Sequence, residues 1–505
     1  MRRKLILFVS LVALIASVAP PAQAATATAP SIAWQPCAEN PAVDCGTVTV
    51  PLDWGDPGGE KIELALARRK ATDPSARIGS LVVNPGGPGG SGKQIVLRDR
   101  LPFSSDITSR FDIVGFDPRG VAGSHPILCS QELAAQAPDP FLKSQADFDR
   151  LLAFNARYKQ DCRARTGPLF DHVDAASVAR DLDVLRAALG DDKLSFYAIS
   201  YGTLFGQLYA ERYPDRVRAL ALDSNMDHSL GTRDFLDTQA WTTQDSFNEF
   251  VKWCDATSSC ALHGKDIRAF WAGLLARADR GELHYPGEPE TPLTKLLLIY
   301  ETTGAFFGPD WADLAEFLVA VDSGEGTAKS SLKPLVDEEV INDATQAFCQ
   351  DYLLPISDYR EYAAHLASSR RIAPDMQAGP EALATMAACL GQQAPIPDPQ
   401  HRLNVSGPTV LVANGLHDPS TGYNWALSTA EQLGRAGRLF TYEGWGHRIY
   451  DHGECAVQGI DRYLISLDLP AKGARCPAVP PTASTLSTYK PAPGPVPGLP
   501  GWVRQ

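Results

Sequence analysis

Three residues at three separate turns have types that together can cleave an acyl bond: Ser200 in Ala198-Ile199-Ser200-Tyr201-Gly202, Asp418, and His447 in Gly444-Trp445-Gly446-His447. A serine hydroxyl is a weak nucleophile until a neutral imidazole removes its proton. That imidazole needs a carboxylate to hold its tautomer and to offset the positive charge it acquires. The negative oxygen that forms on the carbonyl then needs N–H donors. Tyr201, next after the serine, supplies one. The loop Pro85-Gly86-Gly87-Pro88-Gly89-Gly90-Ser91-Gly92 supplies a second from Gly87, because glycine lets backbone approach a substrate closely while Pro85 and Pro88 have no N–H.

Plainer readings stand beside these. Ser200 is also a good helix N-cap. Asp223 is a second candidate for the acid, with a loop cap as its ordinary role. His452, five residues beyond His447, reads as a surface or disulfide-adjacent histidine. Arg119 in Asp117-Pro118-Arg119-Gly120 reads as a loop anchor paired with nearby carboxylates, as a buried guanidinium requires.

The elements around these residues must bring them to one place. Short apolar runs at 80–84, 111–116, 194–198, 217–222, 409–413 and 439–442 read as strands. Between them, Val178, Leu182, Leu185 and Leu189 recur at helical spacing up to Gly190, and further helices are expected over 203–213, 424–433 and 457–467. Strands alternating with helices imply a mostly parallel sheet with helices on both faces, an α/β fold. In such sheets catalytic groups gather at the carboxyl ends of strands. Ser200 follows the run 194–198, Asp418 the run 409–413, and His447 the run 439–442, so three placements agree. Two earlier strands are expected at 48–50 and 62–67. The roughly 180 residues separating 223 from 409 far exceed an ordinary connection. Helical periodicity at 266–279 and 311–321 makes this stretch, bounded at 226–404, a mainly helical inserted domain between core segments 25–225 and 405–475. Trp271, Tyr300, Phe306, Phe307 and Trp311 are expected mainly in its core, some lining a pocket. The Pro-rich tail 476–505 is expected to be extended on the surface.

The first 24 residues have a basic start (Arg2, Arg3, Lys4), an apolar run and Ala22-Gln23-Ala24, the pattern of a cleaved export signal. No cysteine sits at the cleavage point, so free secretion is expected, without membrane attachment after cleavage. The formal charge of −13 includes three positive charges and no acid in that leader, so the mature chain carries −16 and nucleic acid is not an expected partner. Ten cysteines in an exported chain point to disulfides. Pairing of chain neighbours is the simplest arrangement: 37 with 45, 129 with 162, 254 with 260, 349 with 389, and 455 with 476. No CxxC or clustered His/Cys spacing suggests a metal, and no cofactor is expected.

Together the segment from Cys45 to Trp54, Asn84-Pro85-Gly86-Gly87-Pro88-Gly89-Gly90-Ser91-Gly92, Phe116-Asp117-Pro118-Arg119-Gly120, Ile199-Ser200-Tyr201-Gly202-Thr203 and Gly444-Trp445-Gly446-His447 followed by Cys455 resemble the secreted actinobacterial tripeptidyl aminopeptidases, α/β-hydrolases of the prolyl aminopeptidase group, across nearly the whole mature chain. The order Ser, Asp, His along the chain is that of the α/β-hydrolase triad. Ala198 replaces the first glycine of G-x-S-x-G, a methyl group that many such turns accept. The resemblance implies release of tripeptides, or similar short pieces, from free N-termini of peptides and proteins. Desolvating a protonated amine demands carboxylates, and Glu301, Asp310 and Asp351 in the insertion are the candidates; each also reads as an ordinary helix acid. A secreted carboxylesterase using the same three residues is the alternative.

Overall fold

The computed structural model describes residues 31–325, 340–391 and 396–481. The export signal and most of the Pro-rich tail lie outside them. Ten strands form one sheet, in the spatial order Gln35–Pro36, Asp44–Pro51, Lys61–Arg69, Phe111–Phe116, Gly79–Asn84, Leu194–Ile199, Val217–Asp223, Val410–His417, Gly437–Trp445 and Arg475–Cys476. The first four pair antiparallel. From Phe111–Phe116 onward every pairing is parallel.

Every residue of Gly79–Asn84, Phe111–Phe116 and Leu194–Ile199 is buried. Such unbroken burial requires cover on both faces, and alternate side chains feed two separate cores. Val82, Phe196, Ala198, Leu220, Leu222, Val410 and Val412 face one, which holds Val178, Leu182 and Leu185 of the helix Ala175–Ala188 and Leu204 and Leu208 of the helix Gly202–Arg212. Leu81, Val83, Tyr197, Ile199, Ala219, Ala221, Leu411 and Ala413 face the other, with Val96 of Gly92–Leu97 and Ile460 and Leu464 of Glu454–Ser466. The helix Ala175–Ala188 begins where Asp174 accepts the Ser177 N–H at 2.8 Å. It stops before Gly190, whose φ of +78° is left-handed.

After Val217–Asp223 the chain leaves the sheet and returns only at Val410–His417. Among the described residues the excursion contains the helices Thr232–Ala256, Ile267–Asp279, Lys295–Phe307, Trp311–Ser323, Thr345–Asp351, Tyr359–Ile372 and Pro380–Cys389. Trp271, Tyr300, Phe306 and Trp311 are buried in it. The insertion is not purely helical. His284–Tyr285 pairs with Glu288–Pro292, and Val340–Asn342 pairs antiparallel with Leu128–Ser130 of the core, a tie that no periodicity announced. All five neighbour disulfides are formed: Cys37–Cys45, Cys129–Cys162, Cys254–Cys260, Cys349–Cys389 and Cys455–Cys476. No described helix is long and apolar enough to cross a membrane.

Candidate active site

At the end of Leu194–Ile199 the chain turns sharply and Ser200 adopts φ +56°, a left-handed conformation that a side chain enters at a cost. The turn is over-determined. The Ser200 N–H donates to the Asp223 carbonyl at 2.9 Å, and Thr203 donates to the Ser200 carbonyl from its N–H at 2.9 Å and its hydroxyl at 2.6 Å. Ser200 is not the helix cap: the capping position of Gly202–Arg212 is Tyr201, whose side chain makes no capping bond. Close approach explains the nearby glycines. A Cβ on Gly202 would lie 2.4 Å from Asn84 Oδ1, and one on Gly86 would lie 2.9 Å from Ser200 Cβ and 2.8 Å from the Tyr201 nitrogen. Ala198, where the motif departs from glycine, is fully buried, its methyl group packed in the core. The glycine loop thus lies directly on the serine turn, with Asn84 Oδ1 accepting the Gly86 N–H at 2.9 Å and Gly87 following at φ +117°.

Asp418 begins a turn that closes on its own carboxylate. Oδ1 accepts the N–H groups of Ser420 and Thr421 at 2.9 and 3.0 Å, while Oδ2 accepts the hydroxyls of Ser224 and Thr421 at 2.6 and 3.2 Å. Fixed in this way, both carboxylate oxygens lie 3.0 Å from His447 Nδ1. His447 is buried. Burial opposes its charged form, but the charge and hydrogen bond of Asp418 outweigh this and hold the imidazole above its ordinary pKa. The insertion also bears on His447: the His447 backbone N–H donates to the Phe307 carbonyl at 2.9 Å, and the two rings lie 4.8 Å apart.

Asp223 and Ser224 tie the three turns together. The Asp223 carbonyl takes the Ser200 N–H, the Ser224 hydroxyl takes the Arg448 N–H at 2.6 Å, and that same hydroxyl donates to Asp418. The Asp223 carboxylate accepts the N–H groups of Ile449 and Tyr450 at 2.8 and 3.1 Å and the Tyr197 hydroxyl at 2.9 Å. It therefore braces the loop beyond His447, whose imidazole bonds to Asp418. Burial pushes the Asp223 carboxyl up to about 6.

Other expected residues fall as follows. His452 is half-buried and lies beside the Cys455–Cys476 disulfide: its ring stacks at 5.5 Å on Tyr442, the strand partner of Cys476, with its Nε2 buried, and burial favours the neutral form. Arg119 is 2% exposed and forks onto Asp181 with two bonds of 2.7 Å, its remaining N–H groups donating to the carbonyls of Pro51, Leu52 and His172. Asp351 is buried against the serine turn, accepting the Tyr201 hydroxyl and the Ala175 N–H, the latter at 2.7 Å. Glu301 is buried beside Tyr285 within the insertion. Asp310 occupies the N-cap position of Trp311–Ser323, three residues after Phe307.

Sequence reasoning missed Glu381, whose Oε2 accepts the Ser420 hydroxyl at 2.5 Å, and Ser224. In the sequence, Gly379-Pro380-Glu381 reads only as an ordinary helix start with proline and an acid in the first turn. It also missed Asp245, Glu249 and His417, whose donor atoms lie within 4.8 Å of one another. These are satisfied within the protein: His417 Nδ1 lies 2.7 Å from Asp245, and Glu249 takes the Trp445 indole N–H at 2.9 Å and pairs with Lys252. They pin the ends of the two strands bearing Asp418 and His447 to the helix Thr232–Ala256.

The α/β hydrolase fold family matches residues 79–454. Serine protease Hip1 of Mycobacterium tuberculosis is 32% identical over 484 residues, covering 88% of this chain and 91% of the relative. Tripeptidyl aminopeptidase of Streptomyces lividans is 30% identical over 488 residues, covering 90% and 88%. A protein of Mycobacterium tuberculosis named carboxylesterase B is 31% identical over 483 residues, covering 90% and 91%. A serine on a strained strand-to-helix turn, a buried imidazole–carboxylate pair at the neighbouring strand ends and near-full-length similarity to a serine protease and an aminopeptidase lead to one conclusion: the chain belongs to the α/β-hydrolase family and is a serine hydrolase of the peptidase type.

Proposed function

We propose that this serine hydrolase is a secreted exopeptidase that releases tripeptides, or similarly short pieces, from free N-termini. His447 takes the proton of Ser200 as the hydroxyl attacks the scissile carbonyl. Asp418 holds the tautomer and offsets the imidazolium, and the N–H groups of Gly87 and Tyr201 receive the oxyanion. His447 then returns the proton to the departing amine, and water, activated in the same way, frees the acyl-enzyme. The observation that carries the reading is the His447–Asp418 pair, 3.0 Å through both oxygens, at the strand ends beside a serine with φ +56°.

Exopeptidase action rests on the insertion, residues 226–404, acting as a lid. Its Phe307 carbonyl and ring bear directly on His447, so the insertion packs against the proposed base. Of the three acids proposed for the substrate ammonium, Asp310 stands three residues after Phe307, whereas Glu301 is buried beside Tyr285 and Asp351 lies behind Tyr201. Tripeptide length follows the named activity of the Streptomyces relative, and five disulfides fit an oxidising, extracellular setting. The esterase reading has support in the relative named carboxylesterase B.

Two measurements test the proposal. Ser200→Ala abolishes labelling by a fluorophosphonate and lowers turnover by ~10³-fold or more, with the fold retained; labelling at another serine refutes the assignment. Mass spectrometry of the products from matched free and N-acetylated peptides shows three-residue fragments from the former, with kcat/KM at least ~10-fold lower for the latter. Equal cleavage of both, or internal cuts, excludes amine selection.

A further inference from the structure

We infer that Glu381, a carboxylate contributed by the insertion, is a positioning residue for the base: it clamps the turn that holds Asp418, and its negative charge supports the imidazolium of His447. The inference rests on the proposed roles of Ser200, His447 and Asp418.

The geometry is a relay of short bonds. Gly379 passes so close to the helix Thr232–Ala256 that a Cβ there would lie 2.8 Å from the backbone carbonyl carbon of Gln239, so a side chain at this position would force the two segments apart. Pro380 then starts the helix Pro380–Cys389, with Glu381 in its first turn. Glu381 Oε2 accepts the Ser420 hydroxyl at 2.5 Å and the Gln239 side-chain N–H at 3.3 Å. Ser420 in turn donates its backbone N–H to Asp418 Oδ1 at 2.9 Å. A carboxylate from the insertion is thus two hydrogen bonds away from the carboxylate that orients His447.

Charge adds to position. The groups facing Glu381 are Ser420, Gln239, Asp418, His447 and the buried phenol of Tyr300. Those facing His447 are Asp418, Glu381, Asp223 and the neutral ring of His452. Burial raises the Glu381 carboxyl, opposed by the Ser420 bond and the His447 charge. Proton transfer from Ser200 to His447 creates a cation in a buried site, where a second nearby anion favours it. The same anion makes the resting imidazole harder to deprotonate, so the parent enzyme loses activity at a higher pH than one without it.

Glu381→Gln separates the two contributions, because the amide oxygen can still accept the Ser420 hydroxyl while the charge is gone. The readouts are the pH profile of kcat/KM on p-nitrophenyl butyrate, which has no amine, and the rate of fluorophosphonate labelling at Ser200. The expected result for Glu381→Gln is an acidic limb moved down by about 0.5–1 pH unit, with a plateau ~3–10-fold lower. Glu381→Asp keeps the charge and returns the limb towards that of the parent. Ser420→Ala loosens the turn and lowers the plateau at every pH without moving the limb. An unmoved limb in a Glu381→Gln protein that melts like the parent overturns the inference. So does an effect confined to free-amine peptides, which makes Glu381 a substrate contact instead. Labelling that persists in Ser200→Ala refutes the underlying catalytic reading, whatever the limb does.

Discussion

Ser224 offers the sharpest test of how the site is held, because one hydroxyl serves two of its turns. It donates to Asp418 Oδ2 at 2.6 Å and accepts the Arg448 N–H, next to His447, at 2.6 Å. Ser224→Ala deletes both bonds in a fully buried position. A hydrogen bond to a charged group contributes about 1.5–3 kcal/mol, and an abandoned buried N–H costs about 1–3 kcal/mol. The losses fall on different observables. The Arg448 N–H is unpaired in every folded state, so its share appears as lost stability. Asp418 keeps Ser420 and Thr421, so the imidazole partner stays near its place but loses its firmest restraint. If about 1.4–2.7 kcal/mol of that restraint is felt in the transition state, kcat falls about 10–100-fold. Stability falls by about 1–3 kcal/mol, the share of the stranded Arg448 N–H, read as the guanidinium midpoint at unchanged m. Ser224→Gly is the control. Because Ser224 sits at φ +60°, glycine suffers no left-handed strain and recovers about 1 kcal/mol of the stability while losing catalysis to the same extent as alanine. An alanine variant within twofold of the parent in kcat/KM refutes the argument, as does a glycine variant with full activity.

Further outcomes follow from neighbouring groups. Since His447 is held above its ordinary pKa and only its neutral form accepts a proton, kcat/KM declines on acidification through a limb above ~6.5. His447→Ala matches Ser200→Ala in severity, whereas His452→Ala, which removes a half-buried ring stacked on Tyr442, leaves the limb in place. Arg119→Ala strands the buried Asp181 carboxylate and destabilises by about 3–5 kcal/mol in urea titration. Arg119→Lys rescues little of this, because an ammonium cannot span Asp181 and three carbonyls at once.

The parts of the site visible in the sequence were those built from local rules. A strand, a small-residue turn and a helix announced Ser200. Asp418 and His447 stood at matching distances beyond later strands, and the neighbour cysteines paired as spacing suggested. Ser224 escaped because its contacts with Asp418 and Arg448 span 194 and 224 positions of chain, and a serine after a strand carries no signal for either. Glu381 escaped for the same reason: its helix start is locally complete, and only the tertiary fold brings it to Ser420. Asp351 shows the converse. Acid type and location made it a candidate for the substrate amine, while the fold gives its oxygens the Tyr201 hydroxyl and the Ala175 N–H.

The bond from the His447 N–H to the Phe307 carbonyl makes the base a shared possession of two parts of the chain that are 140 residues apart in number. A chimera that keeps this sheet and borrows the intervening helices from a relative therefore needs a carbonyl at the same spot, or it inherits the serine with a base whose backbone is untethered. Swapping these segments to change substrate preference is a graft onto the proposed catalytic site, and the graft has to carry its own junction at Phe307.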